Sequence, residues 1–251
     1  MDKYKLIEAA NPPLPGMKRI RALRDIPVAG VKAGDVGGWV KGPENLSQSG
    51  DCWVLGEAMV SGNARVSDNA VVFGRARVHG EAMVSGNARV FGDAWVWGYA
   101  QVYGSAWVYG KAAVSDNAVA FGRARVSGCA AVSGSAQVYD RAQVCGMASV
   151  YGEAAVFGDA QVCGGAVVTE GMPVLTVASV LADGSSATMF WTPQGPCVAI
   201  GPWTGLLDEV DATGSRMPWC DLADVPVLRA FADMCRAHAA ARWPSCTSTQ
   251  P

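Results

Sequence analysis

The stretch that decides the fold begins at Gly50 and reads GDCWVL GEAMVS GNARVS DNAVVF over residues 50–73. The same six-residue pattern, Gly/Asp-x-Ala-x-Val-x, continues without insertion or deletion to Thr169. Ala and Val are two residues apart, so in an extended segment they share one face, and the residue between them points outward. The Gly or Asp two places after Val suits a corner, where φ is often positive. Six-residue sides joined by corners predict a parallel β-helix with three sides in each coil.

The repeat divides the chain into three predicted parts. They are an N-terminal cap over residues 1–49, the β-helix over 50–169, and a small α+β domain over 170–251. The end of a solenoid exposes a sheet edge and an open core, so we expect non-repeating segments to cover it.

The predicted cap contains two segments with partial alternation, KYKLIE and RIRALRDIPV, which we interpret as strands. NPPLPG lies between them and predicts a turn or an extended linker. Val40 and Leu46 are six residues apart, whereas Leu46 and Val54 are eight apart. This spacing predicts a two-residue bulge before the regular array.

The predicted C-terminal domain combines three strands with two helices. The strands are expected at Val174–Leu181, Ala187–Trp191 and Cys197–Ile200. Thr204 is expected to begin a short helix, and Asp224 a second helix that continues to Arg242. The apolar stripe of the second helix is predicted to hold Val227, Leu228, Phe231, Met234, Cys235 and His238.

Composition narrows the classes of function. The chain has 20 Lys and Arg against 22 Asp and Glu, so nucleic acid is not an expected partner. No apolar run reaches the length of a membrane helix, and no secretion signal is apparent, so we expect a cytoplasmic protein. Eight cysteines without paired C-x-x-C spacing indicate reduced thiols and no zinc site.

Stacking at a period of 18 places similar side chains in columns. The columns predicted from the sequence are Phe73/Phe91/Tyr109, Tyr103/Phe121/Tyr139/Phe157, the charge ladder Glu57/Arg75/Asp93/Lys111, and Cys145/Cys163. The two cysteines come close enough to bridge, but we expect a reduced pair. GEAMVSGNARV recurs after 24 residues, which is not a multiple of 18, so the two copies fall on different sides of the prism. We therefore interpret this motif as part of the repeat structure and not as one functional site.

The repeat resembles bacterial hexapeptide-repeat proteins, which form left-handed parallel β-helices. Two flanking segments, RIRALRDI…VKAGDVGGWVKGPENLSQSGDCWV and FWTPQGPCVAIGPWTGLLDEV, are similar to a group of phage and prophage hexapeptide-repeat proteins described mainly as acyltransferase-like. The resemblance implies a mainly β, left-handed β-helix, a homotrimer, and an acyl-CoA or acetyl-CoA donor if the chain is an enzyme. Related γ-carbonic anhydrases need three His ligands per zinc, and His79 and His238 are too few.

His79 is the single histidine of the repeat and the candidate catalytic residue. In the acyltransferase interpretation it is the general base, which requires a group that fixes its tautomer, and Glu81 is near in sequence. The structural interpretation, a corner histidine packed on Trp97, is favoured because a fold alone does not imply a function. The array also has no projecting loop of the kind such enzymes often carry.

A belt of aromatic residues in one coil is the other candidate site. It contains Phe91, Trp95, Trp97, Tyr99, Tyr103, Trp107 and Tyr109. Trp95 and Trp107 take the outward position between Ala and Val. Aromatic residues are typical of protein interfaces, so we favour a subunit or domain interface over a surface that stacks sugars or bases.

Three hypotheses for the function follow. The first is a non-catalytic phage or prophage accessory protein that binds itself and a host or phage protein, such as a component of a bacterial defence system. The second is a CoA-dependent acyltransferase with His79 as base. The third is a structural rod of a virion. Only the second requires a cofactor, and none requires a metal.

Overall fold

A computed structural model describes residues 2–170, 174–177, 186–200, 203–210 and 225–242 of the chain. The repeat region consists of two-residue strands separated by corners, and the strands fall on three faces. Strands 18 residues apart pair in parallel and in register, as Arg77 does with Trp95 and Trp95 with Ala113. The parallel β-helix predicted from the hexapeptide pattern is confirmed.

The strands are given by face. Face I contains β5 (Met59–Val60), β8 (Arg77–Val78), β11 (Trp95–Val96), β14 (Ala113–Val114), β17 (Ala131–Val132), β20 (Ser149–Val150) and β23 (Val167–Val168). Face II contains β6 (Arg65–Val66), β9 (Met83–Val84), β12 (Gln101–Val102), β15 (Val119–Ala120), β18 (Gln137–Val138) and β21 (Ala155–Val156). Face III contains β4 (Trp53–Val54), β7 (Val71–Val72), β10 (Arg89–Val90), β13 (Trp107–Val108), β16 (Arg125–Val126), β19 (Gln143–Val144) and β22 (Gln161–Val162).

Alanine and valine fill the interior of the β-helix. Ala94 and Val96 are fully buried, as are nearly all their equivalents in the repeat. Backbone hydrogen bonds join each coil to the next; for example, the Arg77 N–H donates to the Ala94 carbonyl at 2.9 Å. The core is therefore uniform along the axis, and outward positions are free to vary.

The corners need a backbone that most residues avoid. Gly98 has φ +70°, and a Cβ atom there would lie 2.8 Å from the backbone nitrogen of Asp116 in the next coil. Asp116 itself adopts φ 58°. Its carboxylate accepts a hydrogen bond from the Gly134 N–H at 3.0 Å. The aspartates therefore replace glycine by supplying a bond to the following coil.

The N-terminal segment extends face I. β1 (Tyr4–Ile7), β2 (Lys18–Ala22) and β3 (Val36–Val40) form an antiparallel sheet, and β3 pairs in parallel with β5. Val40 lies opposite Val60, so the offset is 20 residues instead of 18, and the predicted two-residue bulge is confirmed. Short 3-10 helices cover Pro27–Ala29 and Pro43–Asn45.

A four-stranded antiparallel sheet covers the other end of the solenoid. It contains β24 (Leu175–Val177), β25 (Ala187–Thr192), β26 (Gly195–Ile200) and β27 (Trp203–Leu206), followed by a 3-10 helix at Leu207–Glu209. The Gln161 N–H in the last coil donates to Thr188 Oγ1 at 3.0 Å. A short helix is present in TGLLDEV as predicted, but it begins at Leu207 and Thr204 does not cap it. Thr204 lies opposite Ala199 in the ladder of β26 and β27, because sheet pairing overrides the local helix signal.

The C-terminal helix α1 spans Val225–Arg242 and contributes to a separate small core. Leu228, Phe231 and Cys235 are buried as predicted. Val227 and Met234 are exposed instead, and Ala232 takes a place in the core, so the buried stripe is narrower than the sequence indicated. Asp224 and the side chain of His238 lie outside the described residues.

Cys145 and Cys163 form a disulfide between neighbouring coils. Their Cα atoms are 4.6 Å apart because in-register coils place equivalent corner residues side by side. The expectation of a reduced pair is therefore wrong.

None of the helices within the described residues has the length and apolar character needed to cross a membrane. The fold class is confirmed as mainly β, a hexapeptide β-helix with a small C-terminal α+β unit.

Candidate functional site

The aromatic belt surrounds the prism instead of forming one patch. Trp95 lies on face I, and Trp97 and Tyr99 lie at the corner between faces I and II. Trp107 lies on face III, and Phe91 and Tyr109 lie at the corner between faces III and I. Tyr103 lies at the third corner, between faces II and III. A single flat partner contacts only part of this set.

The strongest cluster on face III is a tryptophan between two arginines. Arg89, Trp107 and Arg125 are in-register neighbours on three successive strands. The guanidinium carbons of Arg89 and Arg125 lie 5.7 and 5.4 Å from the indole centroid of Trp107, within cation–π range. We call these three residues the arginine–tryptophan ladder.

An aromatic column borders this ladder. Phe91 stacks on Phe73 at 4.6 Å and on Tyr109 at 4.9 Å between ring centroids, as the 18-residue period predicted. The Phe91 ring also meets Trp107 edge to face at 6.0 Å. The column and the ladder therefore form one continuous surface across the corner.

The second predicted column is also confirmed, at the corner between faces II and III. Tyr103, Phe121, Tyr139 and Phe157 stack with centroid separations of 5.0 to 5.3 Å. The inner rings of this column have a neighbour on both sides. This arrangement fits coil-to-coil support better than the stacking of a planar ligand.

His79 belongs to a third cluster, at the corner between faces I and II. Its ring lies parallel to Trp97 at 6.1 Å, as predicted, and edge to face with Trp95 at 6.4 Å. Arg77 also lies against Trp95, with its guanidinium 5.0 Å from the ring centroid. The cluster thus combines one cation, one imidazole and two indoles.

These side chains border an open pocket of about 500 Å³. Strands β5, β8 and β11 provide its floor, and the loop between β1 and β2 overhangs it. The lining residues that matter for its chemistry are Pro13, Leu14, Met59, Ser61, Arg77, His79 and Trp95. Sequence reasoning found His79 and Trp95 but missed the overhanging loop, whose only signal was the apolar Leu14 within a proline-rich run.

His79 has a lowered pKa, but no described side chain fixes its tautomer. Burial, and secondarily the charge of Arg77, hold its pKa below the ordinary value of 6.5. Among the described residues, no side chain forms a hydrogen bond with its ring. Glu81 accepts a hydrogen bond from Asn63 instead, so it does not fix the tautomer of His79. The lowered pKa favours the neutral imidazole, but among the described residues the second half of a general-base pair is not assembled.

The arginines of the two clusters are without ion-pair partners in the part of the chain that the structure describes. Within the described ranges, Arg77, Arg89 and Arg125 form no ion pair with a carboxylate. By contrast, Arg75 pairs with Asp93 at 2.8 Å, in the predicted charge ladder. A guanidinium retained on an aromatic ring without a carboxylate keeps all its donors available to a ligand.

Glu57, the first residue of the charge ladder, contacts the N-terminal segment. Glu57 accepts hydrogen bonds from Trp39 Nε1 at 2.9 Å and from Arg19 at 2.5 Å. These bonds hold the pKa of the Glu57 carboxyl below its usual range. Glu57 therefore anchors β2 and β3 to the first coil.

The part of the chain that the structure describes contains no group of three or more His, Cys, Asp or Glu side chains able to hold a metal ion.

A family model described as the YdcK beta solenoid repeat matches residues 58–74, 64–81 and 82–98. These segments lie in the first coils and include Arg77, His79 and Trp95. The chain is a β-solenoid repeat protein, as the strand pairing shows independently. Of the curated proteins, none matches the chain.

Proposed function

We propose that this chain is a non-catalytic binding protein that uses the β-helix as a rigid scaffold for the arginine–tryptophan ladder. Its partner is a protein with an acidic surface. Trp, Tyr and Arg are the residue types that most often dominate binding energy at interfaces. The supporting observation is that Arg89 and Arg125 flank Trp107 with no carboxylate partner among the described residues.

The biological setting in this proposal comes from the resemblance of the flanking segments. It is a phage or prophage accessory protein in the bacterial cytoplasm, directed at a host macromolecule such as a component of a defence system. We further propose a homotrimer, as in hexapeptide-repeat relatives. Light scattering that returns the 26.1 kDa mass of one chain contradicts the trimer without affecting the binding proposal.

The test is affinity purification from an infected bacterial host, with wild type compared with the double variant Arg89→Gln/Arg125→Gln. The variant should lose its specific partner, because two charges that meet an acidic surface are removed while the core is untouched. Raising the salt concentration should weaken capture by the wild type, since exposed charges are screened. The matched control is Gln143→Ala, on the same face and one coil beyond Arg125. An unchanged partner list for the double variant contradicts the proposal.

One observation favours a second candidate, a CoA-dependent acyltransferase: His79 borders a pocket of about 500 Å³, and its pKa is lowered, so the imidazole is neutral at pH 7. In that case His79→Ala abolishes acyl transfer from acetyl-CoA, and acetyl-CoA raises the melting temperature of the wild type. The absence of a thermal shift at millimolar acetyl-CoA contradicts this candidate.

A further inference from the structure

The pocket beside His79 is built from two parts of the chain that are remote in sequence. Its floor is the outward side of face I, where Met59, Arg77 and Trp95 are neighbours on consecutive strands. Its overhang is Pro13 and Leu14 in the loop between β1 and β2. A concave site that joins an apolar surface to a few polar groups is the usual form of a small-molecule site.

The overhanging loop is tied down. Lys41 Nζ donates a hydrogen bond to the Pro15 carbonyl at 2.7 Å, and the Met17 N–H donates to the Leu14 carbonyl at 3.2 Å. Leu14 nevertheless leaves 49% of its surface exposed, above the half-buried Met59. The pocket therefore offers apolar area that a ligand is able to remove from water, at little cost in ordering the loop.

The charge in the pocket has one sign. Of the described residues that line it, only Arg77 is charged. The guanidinium is held at 5.0 Å from the centroid of Trp95, which orients it without satisfying its donors. A planar fork of free N–H groups matches the two oxygens of a carboxylate.

Two further polar groups line the same pocket. Ser61 and His79 occupy equivalent corner positions on successive coils, and the His79 ring packs against the indoles of Trp95 and Trp97. Both groups have a donor to offer: a hydroxyl, and one ring N–H of a neutral imidazole. Ser61 and His79 therefore add hydrogen-bond donors beside the positive charge of Arg77, without adding a second positive charge.

We propose that this pocket binds a small organic carboxylate with an apolar body. The carboxylate pairs with Arg77, and the apolar body lies between Leu14, Met59 and Trp95. This site is on face I and is separate from the arginine–tryptophan ladder on face III, so it goes beyond the binding function proposed above and does not depend on it.

The same features disfavour other ligands. A cationic ligand is repelled by Arg77, and no carboxylate lines the pocket among the described residues. A phosphate dianion leaves one charge without a partner, because the described residues that line the pocket include no second cation. A polar neutral ligand leaves the exposed apolar area uncovered.

The test uses the full chain and two probes of nearly equal shape, 4-phenylbutyrate and its neutral amide, 4-phenylbutyramide. Isothermal titration calorimetry should show saturable binding of the carboxylate about tenfold tighter than that of the amide, the difference typical of one charge-assisted pair. Amide signals in NMR spectra should shift at Gly62, Val78 and Gly80, which line the pocket.

Variants separate the charge from the apolar wall. Arg77→Gln should remove the preference for the carboxylate and leave the affinity for the amide unchanged. Leu14→Ser should weaken both probes to the same extent. Arg77→Lys keeps the charge without the planar fork and should give an intermediate preference, which provides a second reading if the glutamine variant is unstable.

Gln143→Ala, on face III and outside the ladder, is the control and should bind both probes like the wild type. Equal affinity for the carboxylate and the amide, a preference that survives Arg77→Gln, or signal shifts confined to residues away from the pocket overturn the proposal. The ladder variants are expected to lose partner capture. If they still bind both probes like the wild type, the pocket is a site separate from the ladder, as proposed.

Discussion

Three corner aspartates show how one residue both departs from the repeat and preserves it. Asp68, Asp116 and Asp140 adopt φ of 58 to 60°, in the region that glycine occupies at the other corners. Each carboxylate accepts a hydrogen bond from a glycine N–H one coil later, at 2.9 to 3.1 Å. The side chain therefore offsets the cost of its own left-handed backbone.

Asp116→Ala tests this compensation. Alanine keeps the Cβ atom at positive φ but loses the acceptor for the Gly134 N–H, so we expect a loss of about 1–2 kcal/mol in the free energy of unfolding. Urea denaturation followed by circular dichroism measures it. Asp116→Asn is the control, because asparagine tolerates this conformation and retains an acceptor. Equal stability of the alanine variant and the wild type contradicts the explanation.

His79 should make the protein less stable in mild acid. Its pKa is lowered in the folded state, mainly by burial and then by Arg77. As pH falls through 6.5, the unfolded chain therefore takes up a proton before the folded chain does, and stability is lost. His79→Gln should reduce the fall in melting temperature between pH 7.5 and pH 5.5. An NMR titration of the His79 ring should give a midpoint below 6.5, and a midpoint above it contradicts the assignment.

At the scale of elements, the sequence predicts whatever the repeat determines. A period of 18 is sufficient to place Phe73, Phe91 and Tyr109 in one stack, because the interior leaves no freedom of register. The bulge before Val54 follows from the same counting. In these cases the prediction needs only the pitch of the coil.

Prediction fails where an element is determined by a neighbour that the pattern does not contain. Thr204 is in a strand because β26 pairs with it, and Glu57 leaves its charge ladder because Arg19 and Trp39 reach it from the N-terminal segment. The buried Lys3 is a further example. Its Nζ donates to the Cys52 carbonyl at 2.8 Å and meets Cys52 Sγ at 3.0 Å, inside the first coil.

The disulfide joins the last two turns of the solenoid, next to the sheet that covers its end. The closed loop of 18 residues implies a stabilisation of up to about 3 kcal/mol by restriction of the unfolded chain. Cys145→Ser should therefore lower the melting temperature and speed hydrogen exchange at β19 and β22. Cys129→Ser is the control, since Cys129 is a free, exposed cysteine. Unchanged exchange in Cys145→Ser shows that the bond has no part in holding this end.

At the scale of the whole molecule, the candidate sites arise from the wrapping of the coil. The belt residues are close together in sequence, yet the three corners send them to different surfaces, and the sequence alone does not state which are neighbours. The pocket is even harder to predict from the sequence, because it depends on where Leu14 lies relative to β5 and β8. The candidate sites of this solenoid thus depend on columns and on an overhanging loop more than on linear motifs.

The same architecture predicts that the chain tolerates the loss of a whole coil. Deletion of residues 110–127 removes 18 positions and brings Val108 into line with Val144 on face III, so every column and the contacts at both ends keep their register. We expect a soluble protein with an unchanged β-sheet spectrum and a length shorter by about 5 Å in small-angle scattering. Its free energy of unfolding should fall by roughly the contribution of one coil and one coil–coil interface, because each coil contacts only its neighbours.

Deletion of residues 110–124 is the matched control. It removes 15 positions, which is not a multiple of the six-residue side, so the segment after the junction presents Ala and Val to solvent at a displaced corner. This variant should aggregate or lose cooperative unfolding. If both deletions fold equally well, the register of corners is not what holds the solenoid together; if both fail, the coils are not interchangeable units.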